Sequence, residues 1–447
     1  MKKYILLSVI FFSAIFSIQA QETIELNQAI STALRNNTGV SNLEKSLEIQ
    51  RLTTSTARGN LYPDLSLSAS WFRNNTFSEG TVRFINGTPT TIPKQNSWIN
   101  SFNIGLNGSV VLFNGLANYE EITLSEANEV SVRIDLEREK YDIAYRVVNS
   151  FFDVLKKEKI VLQNEENLTD SKRQLESIRE FMNFGKRTMA DVYRQDVQVA
   201  QDELSLERSK NNMRKSKVDL LLAMNTDLNK EISVSENNIS SNLSEGELRT
   251  VLEKNSNTEV LLNKALQKRY DYKASLQSVR INQVQLNIDR KNLYFPTVTA
   301  STNYNLNSAR IENLQDSRSF NFGLTVSYPI FQGFSLSNRR QTSELLIRQR
   351  QDDVRQLEQQ IRSDIKKSYL DIETQYKQIE ILNRNIVSAE QDKLLSEENY
   401  RIGLGTLLEV QTATTKLNTL KIDLINSYYD FLLAEKKINY FTGELSY

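Results

Sequence analysis

Four short segments of the chain alternate between apolar and polar positions. In the first, Leu65, Leu67, Ala69 and Trp71 oppose Ser66, Ser68 and Ser70; in the second, Phe102, Ile104, Leu106, Val110 and Leu112 oppose Asn103, Asn107 and Ser109. The third sets Val298, Ala300, Tyr304 and Leu306 against Thr297, Thr299, Ser301, Asn303, Asn305 and Asn307. The fourth sets Phe320, Phe322, Leu324, Val326, Tyr328 and Ile330 against Ser319, Asn321, Gly323, Thr325 and Ser327. A period of two belongs to a strand with one face in an apolar phase. Strands are therefore predicted at about 63–75, 98–113, 296–308 and 319–331, each of about the ten residues a tilted strand needs to cross a bilayer. One such run alone would read as a strand of a soluble sandwich. Four together read as a barrel wall, because the polar side is Ser, Thr and Asn throughout, which suits a wet lumen. Trp71, Trp98, Phe102 and Tyr328 also stand where aromatic girdles form. Four strands cannot close a barrel, since the smallest usual one has about eight, so the chain is expected to oligomerise.

The remaining sequence has helical periodicity. All five prolines, at 63, 89, 93, 296 and 329, lie in or beside the strand segments, which leaves long stretches free of helix breakers. Helices are predicted from Gly115 to about Asn183 and from Gly333 to about Arg401, each roughly 100 Å long at about 1.5 Å per residue. Neither fits inside a compact domain. In the second, Val354, Leu357, Ile361, Ile365, Ile372, Tyr376, Ile379, Leu382 and Ile386 recur at coiled-coil steps. Shorter helices at about 187–225, 405–441, 40–60 and 258–293 would supply partners, giving a tall tube wall of paired coils below a barrel.

The same plan occurs twice. Residues 103–192 and 321–410 align without a gap at an offset of 218: Asn103-Ile104-Gly105-Leu106 returns as Asn321-Phe322-Gly323-Leu324, Phe113-Asn114-Gly115 as Phe331-Gln332-Gly333, and Gly185, Thr188 and Val192 as Gly403, Thr406 and Val410. Upstream, Leu61-Tyr62-Pro63 matches Tyr294-Phe295-Pro296 at an offset of 233, so the first copy carries 15 extra residues. They fall in a stretch, about Thr76 to Ser97, that is rich in Asn, Thr, Gly and Pro and reads as a solvent-facing hairpin connection. Two structural repeats follow, 21–245 and 246–447.

Composition narrows the function. The 447 residues contain no Cys and no His, which removes disulfides, a lipid-anchoring cysteine, thiol nucleophiles, imidazole bases and most zinc sites. No cofactor or metal is expected, and the many carboxylates read as solvated helix faces rather than catalytic pairs. Lys plus Arg and Asp plus Glu balance at 55 each, so no field draws the chain to nucleic acid. Residues 1–20 read as a secretory signal: Lys2 and Lys3, an apolar stretch Tyr4–Ile18, and Ile18-Gln19-Ala20 before a cut at Gln21. Beyond it no apolar run is long enough for a membrane helix, so insertion would have to be as a β-barrel.

The duplicated helix-strand-strand-helix plan resembles the TolC-like outer-membrane efflux protein family (outer membrane factors) over essentially all of the mature sequence. The most telling segments are Tyr400-Arg401-Ile402-Gly403-Leu404-Gly405-Thr406-Leu407-Leu408-Glu409-Val410 and Phe184-Gly185-Lys186-Arg187-Thr188-Met189-Ala190-Asp191-Val192, both similar to the family's Gly-x-x-Ser/Thr hairpin tips. In their simplest reading these are αα-hairpin turns, with a left-handed Gly ending one helix and Thr capping the next. The resemblance implies an α+β membrane fold: a trimeric 12-stranded transmembrane β-barrel, four strands per protomer, continued by a long α-helical coiled-coil periplasmic barrel. It implies a passive, non-enzymatic exit duct of a tripartite efflux or type I secretion system in the cell outer membrane. Its partners would be a periplasmic adaptor, an inner-membrane RND or ABC pump reached through the adaptor, and outer-membrane lipid.

By the same resemblance, Gly185, Thr188, Gly403 and Thr406 belong to adaptor-docking tips, Asp191 and Tyr400 match an inter-helix hydrogen-bonding pair, and Glu409 matches an acidic ring at the periplasmic gate. Pro63, Gly115, Pro296 and Gly333 match barrel-helix junctions. Gly405 and Thr412 stand where well-known members have an Arg and a second Asp, and Asn37-Thr38 and Asn257-Thr258 stand where the family has Asn-Pro. A trimeric outer-membrane adhesin or structural coiled-coil protein is the alternative; such proteins place their barrel strands together at the C-terminus, whereas here both hairpins are internal.

Overall fold

The computed structural model describes residues 22–236 and 243–445; the expected signal segment 1–20 lies outside the described residues. In chain order the elements are β1 (Glu22–Ile24), α1 (Leu26–Asn36), α2 (Thr38–Gly59), β2 (Asp64–Ser78), β3 (Thr81–Ile85), β4 (Thr88–Ile92), β5 (Gln95–Phe113), α3 (Ala117–Asn183) and α4 (Met189–Ala223). There follow β6 (Ile232–Val234), α5 (Glu245–Lys254), α6 (Thr258–Lys268), α7 (Tyr270–Tyr294), β7 (Thr297–Ser308), β8 (Arg318–Ser327), α8 (Ser335–Ile402) and α9 (Leu407–Phe441). The chain divides into two compact units, and α3 and α8 contribute residues to both.

The first unit, Gly39–Glu139 with Asn263–Ser363, holds the sheet. Its order is β2-β5-β7-β8, antiparallel throughout. The register sets apolar against apolar, Leu67 opposite Leu106 and Leu106 opposite Tyr304, as a period of two with one shared face requires. The stretch 76–97 departs from the connection expected of it. The β2/β5 ladder runs on to Ser78 and Gln95, and β3 and β4 form a hairpin of their own around Asn86 and Gly87, at φ 47 and 77. Asn-Gly is a strong two-residue hairpin signal, because both turn positions need positive φ. Composition suggested a loop, and the turn chemistry inside it decided otherwise.

The helices of this unit are joined by short polar contacts. The buried hydroxyls of Thr54 and Ser125 lie 3.0 Å apart, and the Ser343 hydroxyl donates to the buried Asp289 carboxylate at 2.5 Å. The helix expected over 258–293 breaks at Arg269, whose ψ of 131 is extended. Its guanidinium pairs with Asp271 at 2.9 and 2.6 Å. Burial pushes the Asp271 carboxyl up, but this pair and the Tyr272 amide pull it further, leaving it below its ordinary value.

At the helix-strand junctions Pro63 immediately precedes β2 and Pro296 precedes β7, and Phe295 is extended at ψ 146, as a residue before proline must be. The return into each long helix uses consecutive left-handed residues, Gly115-Leu116 at φ 66 and 64 and Gly333-Phe334 at φ 58 and 64. A side chain at 115 would sit 2.6 Å from Cβ of Phe295, whereas nothing lies within 4 Å of one at 333.

The other unit comprises the chain up to Thr38, Lys140–Leu262 and the chain from Asp364. Phe151, Phe152 and Phe431 are its largest fully buried side chains. β1 and β6 pair in parallel, and α5 starts at a reciprocal cap between Ser244 and Glu247. The end of α9 is tied to α3: the Tyr440 ring stacks on Tyr145 at 4.1 Å, and the Tyr141 hydroxyl accepts from the Leu445 amide at 3.0 Å. Along α8 the seam positions Val354 and Ile361 in the first unit and Ile365, Ile372 and Ile379 in this one are buried, as a heptad stripe requires.

The two junction glycines should differ in tolerance. Gly333→Ala carries only the left-handed penalty of about 1–2 kcal/mol; Gly115→Ala adds the overlap with Phe295, for a total of roughly 2–5 kcal/mol. Denaturant unfolding in detergent measures both, and equal losses would rule out the Phe295 contact as the cause.

Candidate functional site: two hairpin tips

The two helical hairpins, α3-α4 and α8-α9, end in the same way. Gly185 and Gly403 are left-handed, at φ 72 and 86. The Gly185 amide donates to the Met182 carbonyl and the Lys186 amide to that of Phe181, both at 2.8 Å; Gly403 donates to Tyr400 at 3.1 Å and Leu404 to Asn399 at 2.9 Å. These paired reversed bonds satisfy carbonyls that a helix end leaves orphaned, and they need a residue that accepts positive φ. Each next helix begins at a threonine. The Thr188 hydroxyl accepts the Asp191 amide while the Asp191 carboxylate accepts the Thr188 amide, both at 3.3 Å; Thr406 and Glu409 reciprocate at 3.3 and 3.1 Å.

The carboxylates of Asp191 and Glu409 are thus engaged in capping their own helices. Glu409 remains exposed to solvent, as does Thr412. A side chain at Gly405 would press on Asn399 Cβ and Glu409 Oε2, each at 3.1 Å. Phe184 and Leu404, beside the left-handed glycines, are about four-fifths exposed, at 78% and 80%.

Leu175, Ile178, Val192, Val199, Tyr400, Leu407 and Val410 form one buried cluster drawn from both hairpins. Between Val192 and Val199 of this cluster, Gln195, fully buried at a seam position, donates to the Ser171 carbonyl at 3.1 Å and accepts from Gln411 at 3.1 Å. A buried polar residue at such a position fixes the register of neighbouring helices. Lys393 lies 3.7 Å from the Asp170 carboxylate.

Tyr400 does not make the hydrogen bond to Asp191 that the resemblance implies. Its hydroxyl is buried without a hydrogen-bond partner, and the Asp191 carboxylate is turned to Thr188. Arg187 holds Tyr400 instead: its guanidinium lies 3.7 Å from the ring centroid and donates to the Tyr400 main-chain carbonyl. That carbonyl belongs to the last turn of α8, where a cation is favoured. Burial, and after it the Asp191 carboxylate, push the Tyr400 phenol above its ordinary value against the pull of Arg187. Nothing in the sequence singles out Arg187, an arginine inside a turn. Gln195 was not singled out either, although its place as a polar residue between Val192 and Val199 on an apolar stripe is a signal that could have marked it. Among the described residues no group of three or more His, Cys, Asp or Glu is placed to hold a metal ion.

Removing a cap should loosen one tip only. Thr406→Ala is expected to cost about 0.5–2 kcal/mol locally, read as faster amide hydrogen exchange over 403–410 with 185–192 unchanged. Uniform exchange across both tips would show that the cap is not a local device.

Comparison with known proteins bears on the fold and the family. The family model described as outer membrane efflux protein matches residues 29–226 and 261–444. Outer membrane protein TolC of Escherichia coli is 24% identical over 124 residues, 28% of this chain and 25% of that protein; TolC of Vibrio cholerae is 21% identical over 200 residues, 42% and 44%. The aligned stretches thus span a quarter to under a half of these relatives' length. Among solved structures, CusC aligns with a TM-score of 0.77 at 16% identity, covering 95% of this chain and 93% of its own. The VceC outer membrane protein of Vibrio cholerae aligns with 0.73 at 17%, covering 94% and 96%, so the fold is shared along nearly the whole chain. With the family model matched across most of both halves, the chain belongs to the outer membrane efflux protein family, a family of channels rather than enzymes, and is an outer-membrane protein.

Proposed function

We propose that this protein is the outer-membrane exit duct of a tripartite efflux or type I secretion system: a trimer whose three sheets close a 12-stranded barrel, passive in itself and energised by an inner-membrane RND or ABC pump. The observation that carries this reading is the state of the sheet in a single chain. Among the described residues β2 pairs only with β5 and β8 only with β7, so two edges are open. The apolar side is bare as well, with Leu67 74% and Phe320 70% exposed. In hydrocarbon, open edges are untenable and bare apolar side chains are at home. Three copies joined edge to edge satisfy both conditions. The Ser, Thr and Asn side then faces the lumen and offers no selective cage, which leaves specificity to the pump. The duplication of the plan fits such a ring, since two similar halves per chain give it six similar parts.

The tips are the proposed periplasmic end. Phe184 and Leu404, presented by Gly185, Thr188, Gly403 and Thr406, are the apolar knobs for a periplasmic adaptor, and Asp191, Tyr400 and Glu409 belong to the gate. Arg187 joins them as the clasp between the two hairpins of one protomer. Three copies of Glu409 around a threefold axis make a cation-sensitive constriction.

Extraction from outer membranes should yield a heat-dissociable trimer that conducts in planar bilayers; a soluble monomer would refute the duct. In the conducting trimer, Arg187→Ala should raise resting conductance several-fold while Arg187→Lys, which keeps a cation but not a planar fork, gives a smaller rise. Glu409→Ala should relieve block by divalent cations, and unchanged block would take Glu409 out of the gate.

A further inference from the structure

The apolar face of the sheet changes character along its length. Towards the helix junctions it carries Leu67 opposite Leu106 and Ala69 opposite Ile104; next comes Trp71 opposite Phe102, their rings 6.3 Å apart. Beyond these, towards β3 and β4, the same face continues into Arg73, one alternation past Trp71, and Trp98, opposite Asn75. The Arg73 guanidinium lies 5.1 Å from the Trp98 ring, and the Lys94 ammonium 5.0 Å from the Phe77 ring. On β8, Arg318 stands opposite Leu306, itself opposite Ile104, so a third cation ends the same face from the far edge. Arg73, Lys94 and Arg318 are exposed, and among the described residues none has a carboxylate partner.

Along β2 this face runs Leu67, Trp71, Arg73 and along β8 Leu324, Phe322, Phe320, Arg318: aliphatic, then aromatic, then cationic, the order of layers in a lipid leaflet read from chain ends to headgroup. A cation on the lumen side of a barrel would face water; these three share the face that carries Leu67, Trp71, Phe102, Leu106 and Phe320, and around Arg73 that face turns polar with Asn75, Asn96 and Asn100. Stacking on Trp98 and Phe77 holds two of the charges at a fixed height while leaving their donors open. Open guanidinium donors match a phosphate two bonds at a time. We infer that the rim formed by Arg73, Lys94 and Arg318 with Trp71 and Trp98 binds the phosphate groups of a phosphorylated glycolipid of the outer leaflet. The inference rests on the barrel proposed above, which places the hairpin ends of the strands at the outer surface, opposite the ends that join helices. Three such rims surround one trimer.

The test uses the purified trimer in nanodiscs of zwitterionic phospholipid doped with lipid A or with enzymatically dephosphorylated lipid A, with bound lipid counted by native mass spectrometry. The parent should retain the phosphorylated form at least tenfold over the dephosphorylated one. The variant Arg73→Gln/Lys94→Gln/Arg318→Gln should lose that preference while remaining a conducting trimer. Millimolar inorganic phosphate should not displace the lipid. Equal retention of both lipids by the parent, or an undiminished preference in the variant, would overturn the inference with the barrel intact. Displacement by inorganic phosphate alone would reassign the rim to a free anion. A parent that neither trimerises nor conducts would remove the barrel itself and the inference with it.

Discussion

A peptide group in hydrocarbon has no water to fall back on, and leaving one unpaired costs several kcal/mol. In the proposed barrel, β2 and β8 each present a row of such groups that nothing within the described chain satisfies. The rest of the proposed architecture answers that constraint. The strands must meet strands of other copies, the chain must enter and leave the sheet at one end, and the turns at that end must be tight. Proline before β2 and β7 and paired left-handed residues after β5 and β8 make those turns. The clash a side chain at 115 would make with Phe295 shows how little slack one of them has.

Much of the fold was legible in the sequence wherever a period was sustained. The strand segments announced themselves by alternation, one face of each apolar and the other polar, and the long helices by the absence of proline and the α8 stripe. Short elements were less legible. α5 is ten residues long, too short for a period to emerge, although Ser244 and Glu247 carry a capping signature. β3 and β4 lay hidden in a stretch whose composition is that of a loop, with Asn86-Gly87 as the one local sign. The break at Arg269 has no sequence signal beyond an arginine two residues before an aspartate, and depends on a pairing that only the folded chain displays.

The tips divide along the same line. Gly185, Thr188, Gly403 and Thr406 were legible because left-handed turns and N-caps are local matters of backbone chemistry. Which side chain would hold Tyr400 was not, since it depends on how two hairpins distant in sequence meet. The resemblance pointed to Asp191. Here the carboxylate is drawn into its own helix cap, and Arg187 reaches the ring and carbonyl from the neighbouring turn. The turn chemistry of the tips is therefore compatible with a different partner at their junction.

That partner has a consequence for the environment in which the tips would operate. Dissolved ions screen attraction between exposed charges over about 10 Å at ordinary salt, and an ion pair across two helices weakens accordingly. The hold of Arg187 on Tyr400 is exerted on an aromatic face and a peptide oxygen, with no opposite charge as its direct partner. It responds little to ionic strength, so a clasp of this kind keeps its grip in brine and in fresh water alike.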